Sequence, residues 1–376
     1  MPATRLPALD VLRGIAILGT LGTNIWIFMY PGGLLQYIQD GWGGAAQAGW
    51  GVLALQQLTQ GKFLGLLAIL FGIGIALQQR TALTAGRRWP GSYPLRAALL
   101  FVDGVLHYLF VVEFDVLMGY ALTSIVVAAI LCCGARGRMA WLVAAALAHL
   151  ALLALAVLAT AFDPTAGGGP AAMTQVVTAG WWDMVGLRIE HVVLFRIEML
   201  FIGALSVALF LAGALLLDAG VFDAHGARLR RVLMIAGLGI AWPLDMACGV
   251  FGGDAGILAA RYGSAPVVAL GLLALVAECY VRRPQSGPIG RRLSEVGRVA
   301  LSGYVLQNLI ASALCYDWGL GLARSVDAAW RPPATVAIYL CVAAGVLLFA
   351  HLWLRRFARG PLEWIWHALY RRLSSV

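Results

Sequence analysis

The chain has 376 residues, of which 61% are hydrophobic and only 12% are charged, and its mean hydropathy is +0.84. Soluble domains carry about twice that charged fraction, so this composition excludes a water-soluble globular fold and requires that apolar surface face lipid. The formal net charge is +9, but the basic residues occur in short clusters between apolar runs. That pattern is typical of topology signals and lipid contacts, and it argues against a nucleic-acid partner.

About ten apolar runs are each long enough to cross a bilayer, which takes about 20 residues. The second run begins either at Phe63 or earlier, near Trp50, with a break at Gly61. We therefore expect an all-α, polytopic bundle of about ten transmembrane helices that forms one membrane domain over residues 1–376. The runs begin near Leu9, Phe63, Leu95, Val116, Met139, Ile197, Val232, Ala265, Val299 and Pro333.

The basic residues are distributed unequally between the two sets of alternating connections. Most of the 27 Lys and Arg residues fall on the side that holds the N-terminus. Because cytoplasmic loops carry the excess of Lys and Arg, this asymmetry predicts that both termini lie in the cytoplasm. The other side holds only Arg188, Arg196, Arg261, Arg324 and Arg331.

Two segments outside the spans have their own patterns. The outer connection near 163–196 opens with a Gly/Pro stretch that excludes regular helix, and its part from Trp181 to Phe195 suggests an interfacial helix. The segment near 361–374 follows a Gly-Pro pair and alternates Trp with Arg, which predicts an amphipathic helix on the inner surface.

Charged and polar residues within a membrane span usually pair or line a watery cavity. Asp10 and Arg13 are spaced i, i+3 at the inner start of the first helix, where they can pair. They serve either as an orientation device or, since Arg suits phosphate geometry, as a contact to a phosphate-bearing ligand. Asn24 lies about 16 Å further along nearly the same face, where it forms an interhelical hydrogen bond or lines a site.

The third span carries His107 near its outer end, and Glu113, Asp115 and Tyr120 follow closely. A carboxylate beside an imidazole orients one ring nitrogen and raises the basicity of the other, which is typical of acid/base chemistry. A structural histidine is the alternative. No second histidine stands at ligand spacing, so we expect no metal.

The ninth span has a polar first half. Its side chains form either a hydrogen-bonded seam between helices or the lining of a substrate cavity. The residues are Arg298, Ser302, Tyr304, Gln307 and Asn308.

Five segments in order along the chain resemble the YeiB-like family of bacterial integral membrane proteins, a domain of unknown function. They are LDVLRGIAILGTLGTNIW (9–26), GKFLGLLAILFGIG (61–74), HYLFVVEFDVLMGYAL (107–122), GRVALSGYVLQNLI (297–310) and RRFARGPLEWIWHALYR (355–371).

That family is similar to the transmembrane acyltransferases, which include the heparan-glucosaminide acetyltransferases and OafA-type sugar O-acetylases. The resemblance implies an acyl-CoA co-substrate, a bacterial inner-membrane location and a set of site residues that match the family's motifs. OafA-type enzymes have a catalytic histidine where this chain has Asn24, so the base must come from elsewhere. The matching residues are Asp10, Arg13, Asn24, Lys62, Phe63, His107, Asp115, Tyr120, Arg298, Tyr304, Gln307, Gly360, Pro361 and Glu363.

The leading hypothesis is a membrane acyltransferase in which His107, oriented by Asp115 or Glu113, deprotonates an acceptor hydroxyl or amine. Arg13 or Arg298 would contact the phosphates of acyl-CoA, and Asn24 or Tyr120 would stabilise the oxyanion. The alternatives are a transporter that uses the same polar stripe as a substrate path and an accessory membrane protein. Membrane lipids are the expected surroundings; the acceptor and a homo-oligomeric state are left open.

Overall fold

The computed structural model describes residues 6–44, 49–162, 180–283 and 285–374. Its secondary structure is 83% helix, and these residues contain no strand. The predicted all-α fold class is therefore confirmed.

The α-helices vary from single turns to long spans. In chain order they are α1 (Pro7–Phe28), α2 (Gly33–Gln39), α3 (Gly41–Gly44), α4 (Trp50–Gln57), α5 (Lys62–Thr84), α6 (Tyr93–Phe110), α7 (Leu117–Ile130), α8 (Ala135–Phe162), α9 (Trp181–Glu190), α10 (Val192–Phe201), α11 (Gly203–Asp218), α12 (Ala227–Met234), α13 (Trp242–Phe251), α14 (Gly253–Ala259), α15 (Ala265–Arg282), α16 (Pro288–Arg298), α17 (Ala300–Cys315), α18 (Leu322–Ser325), α19 (Arg331–Leu354) and α20 (Pro361–Ser374).

Two π-helical segments, Ile235–Ala241 and Ala260–Ser264, join α12 to α13 and α14 to α15. Such turns re-aim side chains within an otherwise continuous helix and often occur at functional sites. The second segment carries Arg261 and Tyr262, which line a cavity described below.

Six helical segments in the described part of the chain are long and apolar enough to cross a membrane, and there are seven if α10 and α11, bent by 46°, are counted as one broken span. Each of the ten predicted apolar runs coincides with a helix or a joined pair. However, α6 is not among these long apolar segments, and α7 and α17 are apolar but shorter than a span. The count of ten crossings therefore stays a prediction. The six are Pro7–Phe28, Trp50–Thr84, Ala135–Phe162, Ala224–Phe251, Gly253–Arg282 and Arg331–Leu354.

The centre of the bundle is built from α1 and α5. In the most apolar stretch of α1 67% of the residues are buried, and in that of Trp50–Thr84, which contains α5, 72% are buried, against 11% in α8. The apolar side chains of α8, such as Leu147 and Leu155, point outward. An exposed apolar face of that length indicates contact with lipid rather than water.

The second predicted apolar run begins early, near Trp50, which is one of the two starts that the sequence allows. Helix α4 begins at Trp50, and Gly61, with φ +73°, separates it from α5. A Cβ on Gly61 would lie 2.4 Å from the carbonyl oxygen of Arg261. Glycine is needed here both for the left-handed conformation and for the close approach of α5 to the Arg261 segment.

The start of α1 crosses α16 at a distance that only glycine permits. A Cβ on Gly297 would lie 1.8 Å from the carbonyl oxygen of Asp10, and a Cβ on Gly14 would lie 2.0 Å from that of Leu293. Small residues at such crossings let helix backbones pack closely. The crossing fixes the neighbouring Arg298 and the start of α17 beside α1.

The predicted interfacial segment is two helices, α9 and α10, and residues 163–179 of the same connection lie outside the described residues. Helix α9 packs on the end of α6: Trp181 Nε1 donates to the carbonyl of Phe110, and buried Arg188 donates to those of Leu109 and Val111. Helix α20 has no buried residue, and its Glu363 caps the start of α17.

Candidate functional site

The buried pair of His107 and Asp115 is formed where α6 ends and the chain turns into α7. His107 Nδ1 lies 2.9 Å from Asp115 Oδ1, and the two side chains are 1% and 0% exposed. The other carboxylate oxygen accepts the backbone N–H of Met118 at 3.1 Å. A carboxylate at Nδ1 holds the proton on that nitrogen and leaves the lone pair on Nε2.

Helix α17 supplies the groups around His107 Nε2, the imidazole nitrogen that does not contact Asp115. Asn308 Nδ2 lies 3.3 Å from His107 Nε2, and the ring of Tyr304 lies 5.0 Å from the imidazole ring, centroid to centroid. Asn308 Oδ1 and Gln307 Oε1 are buried without a hydrogen-bond partner in the described part of the chain. Buried acceptors of this kind require a donor, which a bound molecule or water can supply.

Glu113 was predicted to share the orienting role of Asp115, but its carboxylate has other partners. It accepts hydrogen bonds from Arg188 at 3.2 Å and from the Tyr316 hydroxyl at 3.0 Å. The described contacts of Glu113 therefore tie α9 and the end of α17 to the turn, and of these two carboxylates it is that of Asp115 that contacts His107.

Arg196, on α10, holds the same turn through its backbone. It donates to the carbonyl oxygen of Asp115 at 2.9 Å and to that of Glu113, and its guanidinium lies over the ring of Tyr108 at 4.1 Å. From the sequence, Arg196 is predicted only as a charge in a connection between spans. Its place in the apolar stretch of α10 was the signal that could have marked it as a buried functional group.

A cavity of about 390 Å³ lies against this pair, and we call it the outer cavity because it lies towards the predicted outer end of the bundle. Asp115 and Tyr304 line it directly, together with Asn24 and Tyr120. The Tyr120 hydroxyl donates to the carbonyl of Leu64 at 3.0 Å. His107 contacts two of the lining residues but lies behind them.

Three further residues of the outer cavity form an ionic network that sequence reasoning missed. Glu198 accepts hydrogen bonds from Arg261 at 3.1 Å and from the Tyr262 hydroxyl at 2.6 Å. Arg261 also donates to Gln60 at 3.1 Å. The network joins α10 to the π-helical turn, and an acidic residue within an apolar run was again the available signal.

A second cavity of about 420 Å³ follows the first along the bundle, and we call it the inner cavity because it lies towards the predicted cytoplasmic end. Its deeper walls are apolar, and Arg13, Arg96 and Arg298 line it. Along α1, Ile17 lines the inner cavity and Thr20 the outer one, so the two cavities approach to within about one helical turn of each other along that helix. Tyr304 lines both cavities and stands between them.

Lys62 and Asp10, which were also predicted as site residues, lie outside the lining of the two cavities. Lys62 is buried and forms an ion pair with Asp245, which also accepts a hydrogen bond from Gln57 at 2.7 Å. Asp10 contacts Arg13 at 3.5 Å. Lys62 and Asp10 are not among the residues that line the two cavities.

The amide of Gln307 donates to the Thr20 hydroxyl at 3.4 Å, which links α17 to α1 beside Tyr304. Within the described ranges there is no group of three or more His, Cys, Asp or Glu residues that could hold a metal ion.

The chain is similar to proteins of one family along nearly its whole length. A family described as "Protein of unknown function (DUF418)" matches residues 216–372. "Uncharacterized protein YxaH" of Bacillus subtilis (strain 168) is 27% identical over 392 residues, covering 97% of this chain and 94% of the relative. "Uncharacterized protein YeiB" of Escherichia coli (strain K12) is 30% identical over 405 residues, covering 98% and 96%. Together with the motifs quoted above, these matches mean that the chain belongs to the YeiB-like family.

Proposed function

We propose that this protein is a membrane acyltransferase that moves an acyl group from acyl-CoA to an acceptor hydroxyl or amine at or across the membrane. One observation carries the proposal: Tyr304, which lines both an inner, basic cavity and an outer, aromatic-lined cavity, packs against the buried His107–Asp115 pair. A two-substrate transfer needs a base at the meeting point of two binding spaces.

In the proposed reaction the acceptor enters from the outer cavity and its oxygen or nitrogen attacks the thioester carbonyl. His107 Nε2 takes the acceptor proton, the new C–O or C–N bond forms, the C–S bond breaks, and the thiolate leaves with that proton. Asp115 stabilises the imidazolium that forms between these two steps. Asn308 lies against Nε2 at 3.3 Å, so its amide must move aside to admit the acceptor.

The developing oxyanion needs hydrogen-bond donors. The Tyr304 hydroxyl and the Asn308 amide are the polar groups next to His107. Tyr120 was a candidate for this role, but its hydroxyl already donates to the Leu64 carbonyl. Asn24, which lines the outer cavity, is better suited to hold the acceptor.

The inner cavity suits an acyl donor that has a phosphorylated end and an apolar end. Arg13, Arg96 and Arg298 supply positive charge, and residues such as Leu67 and Leu100 form its apolar part. Guanidinium groups bind phosphate through charge-assisted hydrogen bonds.

Ten membrane crossings in the bacterial inner membrane, with both termini in the cytoplasm, complete the proposal. The excess of Arg on one side supports this orientation. It brings the basic cavity to the cytosolic side, where acyl-CoA is available, and the outer cavity to the opposite side.

A small-molecule transporter is the second candidate, and the position of Tyr304 favours it. One aromatic side chain lines both cavities, and alternating access needs a thin barrier between two such spaces. Solute flux into proteoliposomes that contain no acyl donor would favour transport. Loss of that flux when Tyr304 is fixed in place would support Tyr304 as the barrier.

The acyltransferase proposal is tested with the full chain in lipid nanodiscs, supplied with acetyl-CoA or longer acyl-CoA and a membrane lipid extract as the source of acceptor. We expect release of free thiol that falls by about 10²- to 10⁴-fold in His107→Gln and in Asp115→Asn, the range typical of general base catalysis. His225→Gln is the matched control, since His225 is exposed on a 3₁₀ turn away from both cavities.

Equal thiol release in His107→Gln and His225→Gln would contradict the assignment of the base. Absence of thiol release with every donor, together with solute flux, would replace the acyltransferase by the transporter.

A further inference from the structure

A third space adjoins the inner cavity beneath the C-terminal helix. It has a volume of about 330 Å³, and we call it the α20 vestibule. It shares five lining residues with the inner cavity, so the two spaces adjoin each other: Arg96, Arg298, Leu301, Glu363 and Trp366. Its walls are Arg96, Arg298, Leu301, Arg359, Glu363, Trp366, His367 and Tyr370.

Positive charge in the α20 vestibule is not balanced. Arg96 donates to the Gln78 amide oxygen at 2.7 Å and stacks on the Tyr370 ring at 4.3 Å, and Arg298 donates to the Ala358 carbonyl at 3.4 Å. Within the described residues neither of these guanidiniums, nor that of Arg359, forms an ion pair with a carboxylate.

The one acidic residue of the vestibule is committed elsewhere. Glu363 accepts the backbone N–H groups of Leu301 at 2.8 Å and Ser302 at 3.2 Å, and it also bonds the Ser302 hydroxyl. It therefore neutralises the start of α17, where the helix carries partial positive charge, and leaves the three guanidiniums without a counter-charge.

Two buried donors in the vestibule lack acceptors. Arg298 Nε and Trp366 Nε1 have no hydrogen-bond partner in the described part of the chain. Unpaired buried donors cost free energy unless a ligand supplies acceptors. A group rich in anionic oxygen atoms satisfies both the donors and the excess charge.

We propose that the α20 vestibule binds phosphate groups, and that its ligand is the phosphorylated nucleotide end of the acyl donor. The proposal rests on the proposed function only for the identity of the molecule that bears the phosphates. The inner cavity would then hold the rest of the donor, with its thioester directed towards Tyr304. Phosphate on an anionic lipid head group has the same chemistry, and the experiment separates the two sources.

Isothermal titration of the full chain in phosphatidylcholine nanodiscs measures binding of CoA, dephospho-CoA and adenosine 3′,5′-bisphosphate. We expect CoA and the bisphosphate to bind, and dephospho-CoA to bind about tenfold more weakly, as loss of one charge-assisted contact implies. Arg359→Gln should weaken CoA about tenfold. Arg228→Gln, which removes the same charge from an exposed position on α12, should leave binding unchanged.

Equal affinities for CoA and dephospho-CoA, or equal effects of Arg359→Gln and Arg228→Gln, would overturn the proposal. Binding of phosphatidylglycerol, lost in Arg359→Gln, without binding of CoA would overturn the nucleotide as ligand. If CoA binds as expected but His107→Gln keeps full activity, the vestibule stands and the catalytic assignment falls. If CoA does not bind as expected but His107→Gln loses activity, the catalytic assignment stands and the vestibule falls.

The pH dependence of CoA binding provides a second readout. Desolvation, helped by the guanidiniums of Arg359, Arg371 and Arg96, lowers the pKa of His367. The imidazole is therefore neutral near pH 7, and a bound phosphate favours its charged form. Arg298, Glu363 and Tyr370 also line the vestibule that His367 faces.

We expect the ratio of CoA affinity in the parent protein to that in His367→Gln to rise as the pH falls from about 7.5 to 5.5. The titration of the phosphate itself cancels in this ratio. A ratio that does not change with pH would remove His367 from the site.

Discussion

Arg196 and Glu113 illustrate how individual side chains hold the candidate base without touching it. The turn between α6 and α7 has its backbone carbonyls at Glu113 and Asp115 bound by Arg196, and the Glu113 carboxylate is bound by Arg188 and Tyr316. The position of Asp115 relative to His107 therefore depends on buried charges from α9 and α10. Arg196 acts through Asp115 and is a positioning residue.

Replacement of Arg196 by Lys should lower kcat by about tenfold with little change in KM, because an ammonium group cannot bridge two carbonyls as the planar guanidinium does. Arg324→Lys is the control, since Arg324 is exposed on the connection before α19. Kinetics of thiol release measure both variants.

In an Asp115→Asn background Arg196→Lys should have no further effect, since both act on the same contact. Additive losses, or a change in KM alone, would assign Arg196 to general stability instead.

At the scale of elements, close crossings between helices decide where the cavities lie. The α1–α16 crossing depends on Gly14 and Gly297 and brings Arg298 beside Arg13 at the mouth of the inner cavity. The break at Gly61 similarly brings α5 against the π-helical turn that carries Arg261. Both cavities are thus built on positions where a Cβ atom would clash with backbone.

Gly297→Ala should destabilise the protein by about 1–3 kcal/mol, the usual cost of overpacking a tight interface, since its Cβ would lie 1.8 Å from the carbonyl oxygen of Asp10. Gly186→Ala is the matched control: Gly186 lies inside α9 and a Cβ there meets nothing within 4 Å. Thermal unfolding in detergent measures both.

The control should be neutral or slightly stabilised, because alanine favours helix over glycine. A Gly297→Ala variant that melts with the control would show that α1 and α16 separate at little cost.

At the scale of the whole molecule, the arrangement of charge and apolar surface determines orientation. The apolar side chains of α8 face outward, and three arginines line the inner cavity, at the starts of α1 and α6 and at the end of α16. With that end in the cytoplasm, the orientation follows the positive-inside rule.

Reporter fusions test this orientation. A fluorescent protein fused after Ser374 should fluoresce, and alkaline phosphatase fused after Ala329, in the connection before α19, should be active because it is exported. The reciprocal fusions are the controls. An active phosphatase after Ser374 would reverse the orientation and put the basic cavity outside.

The composition and the long apolar runs were enough to establish a helical membrane protein, because a chain with so few charges has no stable arrangement in water. Several polar residues within those runs, such as Asn24, Asp115 and Tyr304, line the cavities of the bundle. Their position fits the rule that charged and polar groups within a membrane span pair or face a cavity. Which polar side chains contact each other could not be predicted in the same way. His107 meets Asn308, 201 positions away, Lys62 pairs with Asp245, and Glu113 pairs with Arg188 and not with the histidine. Those contacts arise from the crossing of helices that are distant in the chain, and helical periodicity specifies which face of a helix is polar but not which neighbour that face meets.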